Sequence, residues 1–270
     1  MQPVKRPPNT RQYIENLAAA GRYHFGSKEA RAALGVSAAA ARVALNRLAR
    51  QGSIASPARG FYVVVPPEYR SLGCLPAEQF IPALMKSLHL PYYAGLLTAA
   101  QYHGAAHQRP QEFQVFLEKR RRPIACGRVR VAFMIRKRLP QVPIQSLNTP
   151  RGTLLLSTPE ATAVDLVGYQ HQAGGLDHVA TVLSELAERI DPAKLVATAA
   201  IPWAQRLGYL LERAGAAEKV GPLKDYVRAN ARESAPLLPK ASKRSGARRR
   251  KPQRNEDWKL FINAEVESGQ

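Results

Sequence analysis

The sequence predicts a mixed α/β (α+β) chain in which an amino-terminal winged helix-turn-helix precedes a larger, helix-rich α/β domain. Three observations predict it. Residues 27–65 read as two short helices meeting at a three-residue corner, followed by a hairpin bearing Arg and Gly. Residues 70–235 alternate helical and strand periodicity. The 270 residues carry 40 Lys+Arg against 20 Asp+Glu, a formal charge of +20, and a length of this order accommodates one small and one ordinary domain.

The elements follow in chain order. Thr10 to Gly21 place Ile14, Leu17 and Ala18 at helical spacing. Ser27, ahead of Lys28-Glu29-Ala30-Arg31-Ala32-Ala33-Leu34, is positioned to cap a second helix, and Gly35 to end it in the left-handed conformation. Ser37 caps the next helix, predicted over residues 38–50, with Ala41, Leu45 and Leu48 on its core stripe. Arg42, Asn46, Arg47 and Arg50 lie outside that stripe. Gly52 stops the helix, and residues 53–56 and 60–65 read as strands around Pro57-Ala58-Arg59, which makes Arg59 the tip of a wing.

A boundary is expected at Pro66-Pro67. Beyond it, helices are predicted over 76–88 and 91–103, and strands over 113–117, 129–135 and 153–157. A helix opening at Ser157-Thr158-Pro159-Glu160 carries the spacing of a capping box and a proline suited to its first turn. Further helices are expected over 176–188, 191–200, 203–215 and 222–231. Residues 236–256 form a Pro-, Lys-, Arg- and Ser-rich linker with little to bury, and residues 257–266 a strand. The domain reading is therefore 1–65, 70–235, the linker 236–256 and the strand 257–266.

Charge narrows the partners. Residues 1–65 hold ten basic and two acidic residues, and residues 236–256 hold eight and one, a density that favours a polyanion. No apolar run is long enough to span a bilayer and no basic amphipathic helix is evident, so DNA ranks ahead of a membrane surface. The amino terminus lacks the apolar run of a secretory signal, and a cytoplasmic location is expected. Cys74 and Cys126 are too few for a disulfide framework and lack the paired spacing of a zinc site, so both are expected to be reduced and structural.

In the major groove, Arg can pair with guanine O6/N7 and Asn with adenine N6/N7. Arg42, Asn46 and Arg47 are accordingly the candidate base readers. Lys28, Ser37 and Arg50 are candidates for phosphate contacts, and Arg59 for the backbone or the minor groove. Lys119, Arg120, Arg121 and Arg122 form a candidate second basic surface, weighed against a solvated turn. The tail at 236–256 is weighed in the same way.

Enzymatic constellations are thin. His103 and His107 have one-turn spacing, but Gly104 stands where a zinc protease needs glutamate and no third ligand is evident. Glu112, Glu118, Glu160 and Asp165 are candidate carboxylates for a nuclease, yet Glu118 is followed directly by Lys119, unlike the usual restriction-type core. No Gly-rich phosphate loop or nucleophile elbow is present. No catalytic residue, metal or cofactor is therefore assigned.

The module at 27–65 combines with Tyr92-Tyr93-Ala94-Gly95-Leu96-Leu97-Thr98-Ala99-Ala100-Gln101-Tyr102-His103-Gly104 and Val115-Phe116-Leu117-Glu118-Lys119-Arg120-Arg121-Arg122. Ser157-Thr158-Pro159-Glu160-Ala161-Thr162-Ala163-Val164-Asp165-Leu166 and Arg206-Leu207-Gly208-Tyr209-Leu210-Leu211-Glu212 follow. On these segments the chain resembles the AbiE-type (AbiEi) antitoxins of type IV toxin–antitoxin systems over most of residues 9–215; its basic linker is longer than that family's pattern. The resemblance implies a winged-helix transcriptional autorepressor that binds inverted repeats in its operon promoter. It also implies an antitoxin that counters a nucleotidyltransferase-like toxin without a stable complex. The alternatives are a stand-alone winged-helix regulator with a sensing domain at residues 70–230, where Tyr92 and Tyr93 either line a pocket or pack in the core, and, behind it, a DNA-acting nuclease.

Overall fold

The computed structural model describes residues 8–105, 110–239 and 253–266. In chain order the elements are α1 (Thr10–Ala19), β1 (His24–Gly26), α2 (Ser27–Leu34), α3 (Ala38–Arg50), β2 (Ile54–Ala58), β3 (Phe61–Val64), α4 (Ala77–Ser87), β4 (Tyr93–Ala94) and α5 (Leu96–Tyr102). Then come β5 (Phe113–Leu117), β6 (Ile124–Cys126), β7 (Val129–Ile135), β8 (Ile144–Thr149), β9 (Gly152–Ser157), α6 (Pro159–Gly168), α7 (Leu176–Leu186), α8 (Pro192–Thr198), α9 (Trp203–Arg213), α10 (Gly221–Asn230), β10 (Ala235–Pro236), β11 (Gln253–Asn255) and β12 (Leu260–Ile262). The chain divides into two compact units. The first comprises residues 1–93, 111–139 and 146–155, the second residues 94–110, 140–145 and 156–270.

The first unit is the winged helix-turn-helix together with α4 and β5–β7. Its small core gathers Tyr13, Leu17, Phe25, Leu45, Leu48 and Ile54 from α1, β1, α3 and β2. Phe25 meets Tyr13 edge-on at 5.4 Å and stacks on Tyr62 at 5.4 Å. β3 pairs antiparallel with both β1 and β2. β1 is a third strand that three residues of periodicity did not reveal. β5 pairs parallel with β7 from Phe113↔Val131 to Leu117↔Ile135, and β6 returns antiparallel on β7.

Wing strand β2 packs against β6. The join behind it is tight: Arg128 N donates to the Leu72 carbonyl at 2.7 Å, and a Cβ at Gly127 would fall 2.0 Å from that oxygen. Only glycine fits there, at φ +56°. Cys74 and Cys126 are both free and buried and hydrogen-bond to each other, which raises the Cys74 thiol and lowers that of Cys126. Arg151, in the turn between β8 and β9, stacks over Tyr23 at 3.9 Å, donates to Gln79 Oε1 and lies 3.5 Å from Glu68.

The second unit is mainly helical around α6, whose residues from Glu160 to Val167 are all buried. Ala94 of β4 pairs with Leu156 of β9. At the far end of this unit, β12 pairs parallel with β10 and antiparallel with β11. Trp258 is fully buried beside Gly208 of α9. Gln205 Nε2 donates to the carbonyls of Glu233 (3.1 Å) and Lys259 (2.8 Å), and Arg206 Nε to that of Pro236 (2.9 Å). The strand expected over 257–266 is thus the three residues of β12, and residues 240–252 of the linker lie outside the described residues.

Three local expectations are corrected. Ser27 is the first residue of α2 and not its cap; Gly26 holds that position, and its amide donates to Glu29 Oε2. The helix expected over 91–103 begins only at Leu96, because Tyr93-Ala94 extend as β4 and Gly95 is itself extended. The Ser157–Glu160 capping box does not form: Ser157 ends β9, Thr158 Oγ1 caps α6 by accepting from Ala161 N, and buried Glu160 accepts from Asp191 N at 3.0 Å. A second hydroxyl one residue on, and a backbone amide 31 residues away, outcompete the local pairing.

Candidate nucleic-acid interface

α2 and α3 meet through Gly35, which is left-handed at φ 63° and ψ 30°, and Ser37 Oγ accepts from Ala40 N at 3.2 Å to open α3. Both features were expected from the residues alone. Ala41, Leu45 and Leu48 are buried as their spacing predicted, so the opposite side of α3 faces outward. Arg42, Asn46, Arg47 and Arg50 are all exposed there, Ser37 is exposed at the N-cap of α3, and Lys28 is exposed in the first turn of α2. Of these, Asn46 and Arg50 lie most nearly opposite the core at ~100° per residue, with Arg42 and Arg47 on the two flanks.

The wing differs from expectation in one detail. Pro57 and Ala58 belong to β2, where the register shifts after Ala55, and the turn is the two residues Arg59-Gly60. Ser56 Oγ donates toward the carbonyls of Ala58 and Phe61, both at 3.1 Å, and closes the hairpin from within. Ser27 N donates to the Gly60 carbonyl at 2.9 Å, tying the turn to the start of α2. Arg59 is exposed at the tip.

Lys119, Arg120 and Arg122 are exposed in the β5–β6 connection, while Arg121 is half-buried, its guanidinium 5.6 Å from the Phe133 ring. Burial lowers the Arg121 pKa from its ordinary value. Further along the same strands Arg128, Arg130, Lys137 and Arg138 are also exposed. The first unit consequently carries 22 Lys and Arg against 6 Asp and Glu. The charge of residues 1–65 alone does not show this grouping, because β5–β7 join the winged helix only through tertiary packing.

Among the described residues, the remaining candidates do not converge on a common site. His103 Nε2 lies 2.8 Å from the Ser157 carbonyl as its donor, and burial lowers its pKa despite that bond. His107 lies outside the described residues. Glu112 and Glu118 are exposed, Glu160 and Asp165 are buried on α6, and no group of three metal-ligating side chains occurs among the described residues. Tyr93 is fully buried and stacks on Phe116 at 4.9 Å, a core position. No helix among the described residues is long and apolar enough to cross a membrane.

A winged helix-turn-helix with an outward, cationic second helix, followed by a larger α/β part, is the architecture of a transcriptional regulator with an appended domain. Family models identify which: residues 12–65 match "Transcriptional regulator, AbiEi antitoxin" and residues 93–213 match "AbiEi antitoxin C-terminal domain". Together they span well over half of the chain, and it belongs to the AbiEi antitoxin family. No curated protein matches the sequence. Among solved structures, the crystal structure of the RV2827C protein from Mycobacterium tuberculosis superposes with a TM-score of 0.65 at 16% identity, covering 94% of this chain and 92% of that one. At that identity the likeness is one of fold.

Proposed function

We propose that this antitoxin-family regulator is a DNA-binding autorepressor that binds inverted repeats in its own operon promoter, in the cytoplasm, and counteracts a nucleotidyltransferase-like toxin without a stable complex. The observation that carries the DNA-binding half is the pairing of an outward, cationic α3 with 22 basic against 6 acidic residues in the unit that holds it. In this reading α3 enters the major groove, with Arg42 and Arg47 pairing to guanine and Asn46 to adenine. Lys28, Ser37 and Arg50 hold phosphates, Arg59 reaches the backbone or the minor groove, and Lys119, Arg120, Arg121 and Arg122 add a second phosphate surface. The antitoxin half rests on the family alone.

The test is a gel-shift titration on DNA from upstream of the chain's own reading frame. Arg47→Ala should cost ~1–3 kcal/mol and relax base preference; equal loss on every sequence would remove Arg47 from the base readers. Full-length Arg42→Ala/Arg47→Ala, co-expressed with the toxin of the same operon, should still protect the cells. Point substitutions serve better than deletion of residues 1–65, because β2 packs against β6 and deletion would strip cover from that strand.

A further inference from the structure

Val43 is the most exposed large apolar side chain described, at 66%. It sits on α3 four residues after Ala39 and three before Asn46, so at ~100° per residue these side chains share one stripe, continued by Arg50 and facing directly away from Ala41, Leu45 and Leu48. Fold stability does not account for it. An exposed isopropyl group forgoes burial, and a β-branched residue is a poorer helix former than the alanines around it. Val36, in the corner before α3, is a second exposed apolar side chain at 39%.

The surroundings decide what can cover Val43. α3 contains three arginines and no carboxylate, and Arg42 and Arg47 flank the stripe, so an apolar protein partner would have to desolvate guanidinium groups without compensation. The DNA major groove supplies both needs at once: phosphates at its rims, and on its floor one apolar group, the C5 methyl of thymine. We infer that Val43 is a specificity-determining residue that packs on a thymine methyl in the operator, close to the adenine paired by Asn46, which lies less than one turn of α3 away. The inference rests on the proposed DNA-binding function and deepens it by stating part of the operator's composition.

The experiment uses the full chain and the same upstream DNA amplified with either thymidine or deoxyuridine triphosphate, since uracil differs only by lacking the methyl. Wild type should bind the uracil form roughly three- to tenfold more weakly at fixed salt. Val43→Ala, which leaves the helix at least as favourable, should bind both forms nearly alike. Equal affinity of wild type for the two forms, or an undiminished ratio in Val43→Ala, overturns the role of Val43 while leaving DNA binding intact. Failure of wild type to prefer the thymine form over random DNA overturns the proposed function itself, and this inference with it.

Discussion

Replacing Trp258 by alanine should be among the most damaging substitutions outside the winged helix. The indole is fully buried, and its ring lies so close to Gly208 of α9 that a Cβ there would fall 2.0 Å from a ring carbon. Its Nε1 donates to Glu212 Oε2 at 2.7 Å. Truncating a buried tryptophan costs ~3–5 kcal/mol through lost transfer energy and the cavity left behind. Of that, about 1 kcal/mol belongs to the hydrogen bond. Glu212 is not orphaned, because Lys224 Nζ stays 3.1 Å away and also pairs with Asp257 at 2.9 Å. At roughly 2–4 °C per kcal/mol for a chain of this class, the thermal midpoint should fall on the order of 10 °C. Thermal melts followed by circular dichroism measure the midpoint, and urea denaturation followed by the fluorescence of Trp203 measures the free-energy loss. Trp258→Phe should recover most of the loss, and Gly208→Val should reproduce it from the opposite side of the contact. A loss below about 1 kcal/mol in Trp258→Ala would mean that residues 253–266 do not dock on α9 in solution and would refute the reasoning.

Two further outcomes are expected. Burial lowers the pKa of His103 in the folded chain, with the Ser157 hydrogen bond opposing it in part. The unfolded chain therefore takes up the proton first, and the stability this group contributes is complete above the ordinary histidine value, then lost as pH falls through the folded one. The drop in unfolding free energy between about pH 7.5 and 5.5 should be smaller in His103→Gln than in wild type; an identical drop would show that His103 is not titrating against burial. On the DNA side, Arg59→Ala should lower the slope of log affinity against log salt by about 0.9, one phosphate's share, with no change in base preference. An altered sequence preference would instead place Arg59 against bases.

Local signals carried the winged helix well. Gly35, Ser37 and the stripe of Ala41, Leu45 and Leu48 each act within one or two turns, so their spacing alone positions α2 and α3. The same locality hid β1, β6 and β8. β1 and β6 are only three residues long, too short to show an alternation; β1 pairs with β3 far along the chain, whereas β6 folds back on the adjacent β7, and the exposed face of β8 shows no apolar alternation. Glu160 was misread for a related reason. A Ser-x-x-Glu spacing is a local pattern, but the carboxylate is satisfied by Asp191 N, which the chain brings back only after α7. Of the candidate site residues, those with a formal charge or an amide could be singled out from composition. The proposed role of Val43 could not be read from composition, because exposure of a valine on the outward stripe becomes informative only once the packed side of the helix is known.

The regrouping of charge bears on how the two proposed activities divide. Outside residues 236–256, the second unit holds 10 basic against 13 acidic residues, whereas the first holds 22 against 6. Affinity for a polyanion depends on phosphates neutralised, so the excess that would draw DNA in the proposed function is concentrated in the first unit and in the basic segment 236–256. The second unit, which carries most of the antitoxin-domain match at 93–213, has no such excess beyond that segment. An antitoxic action through sequestered nucleic acid would need the opposite distribution. The charge pattern thus supports the two activities being separable by substitution on α3, with Arg42 and Arg47 as the positions where that separation is tested most directly.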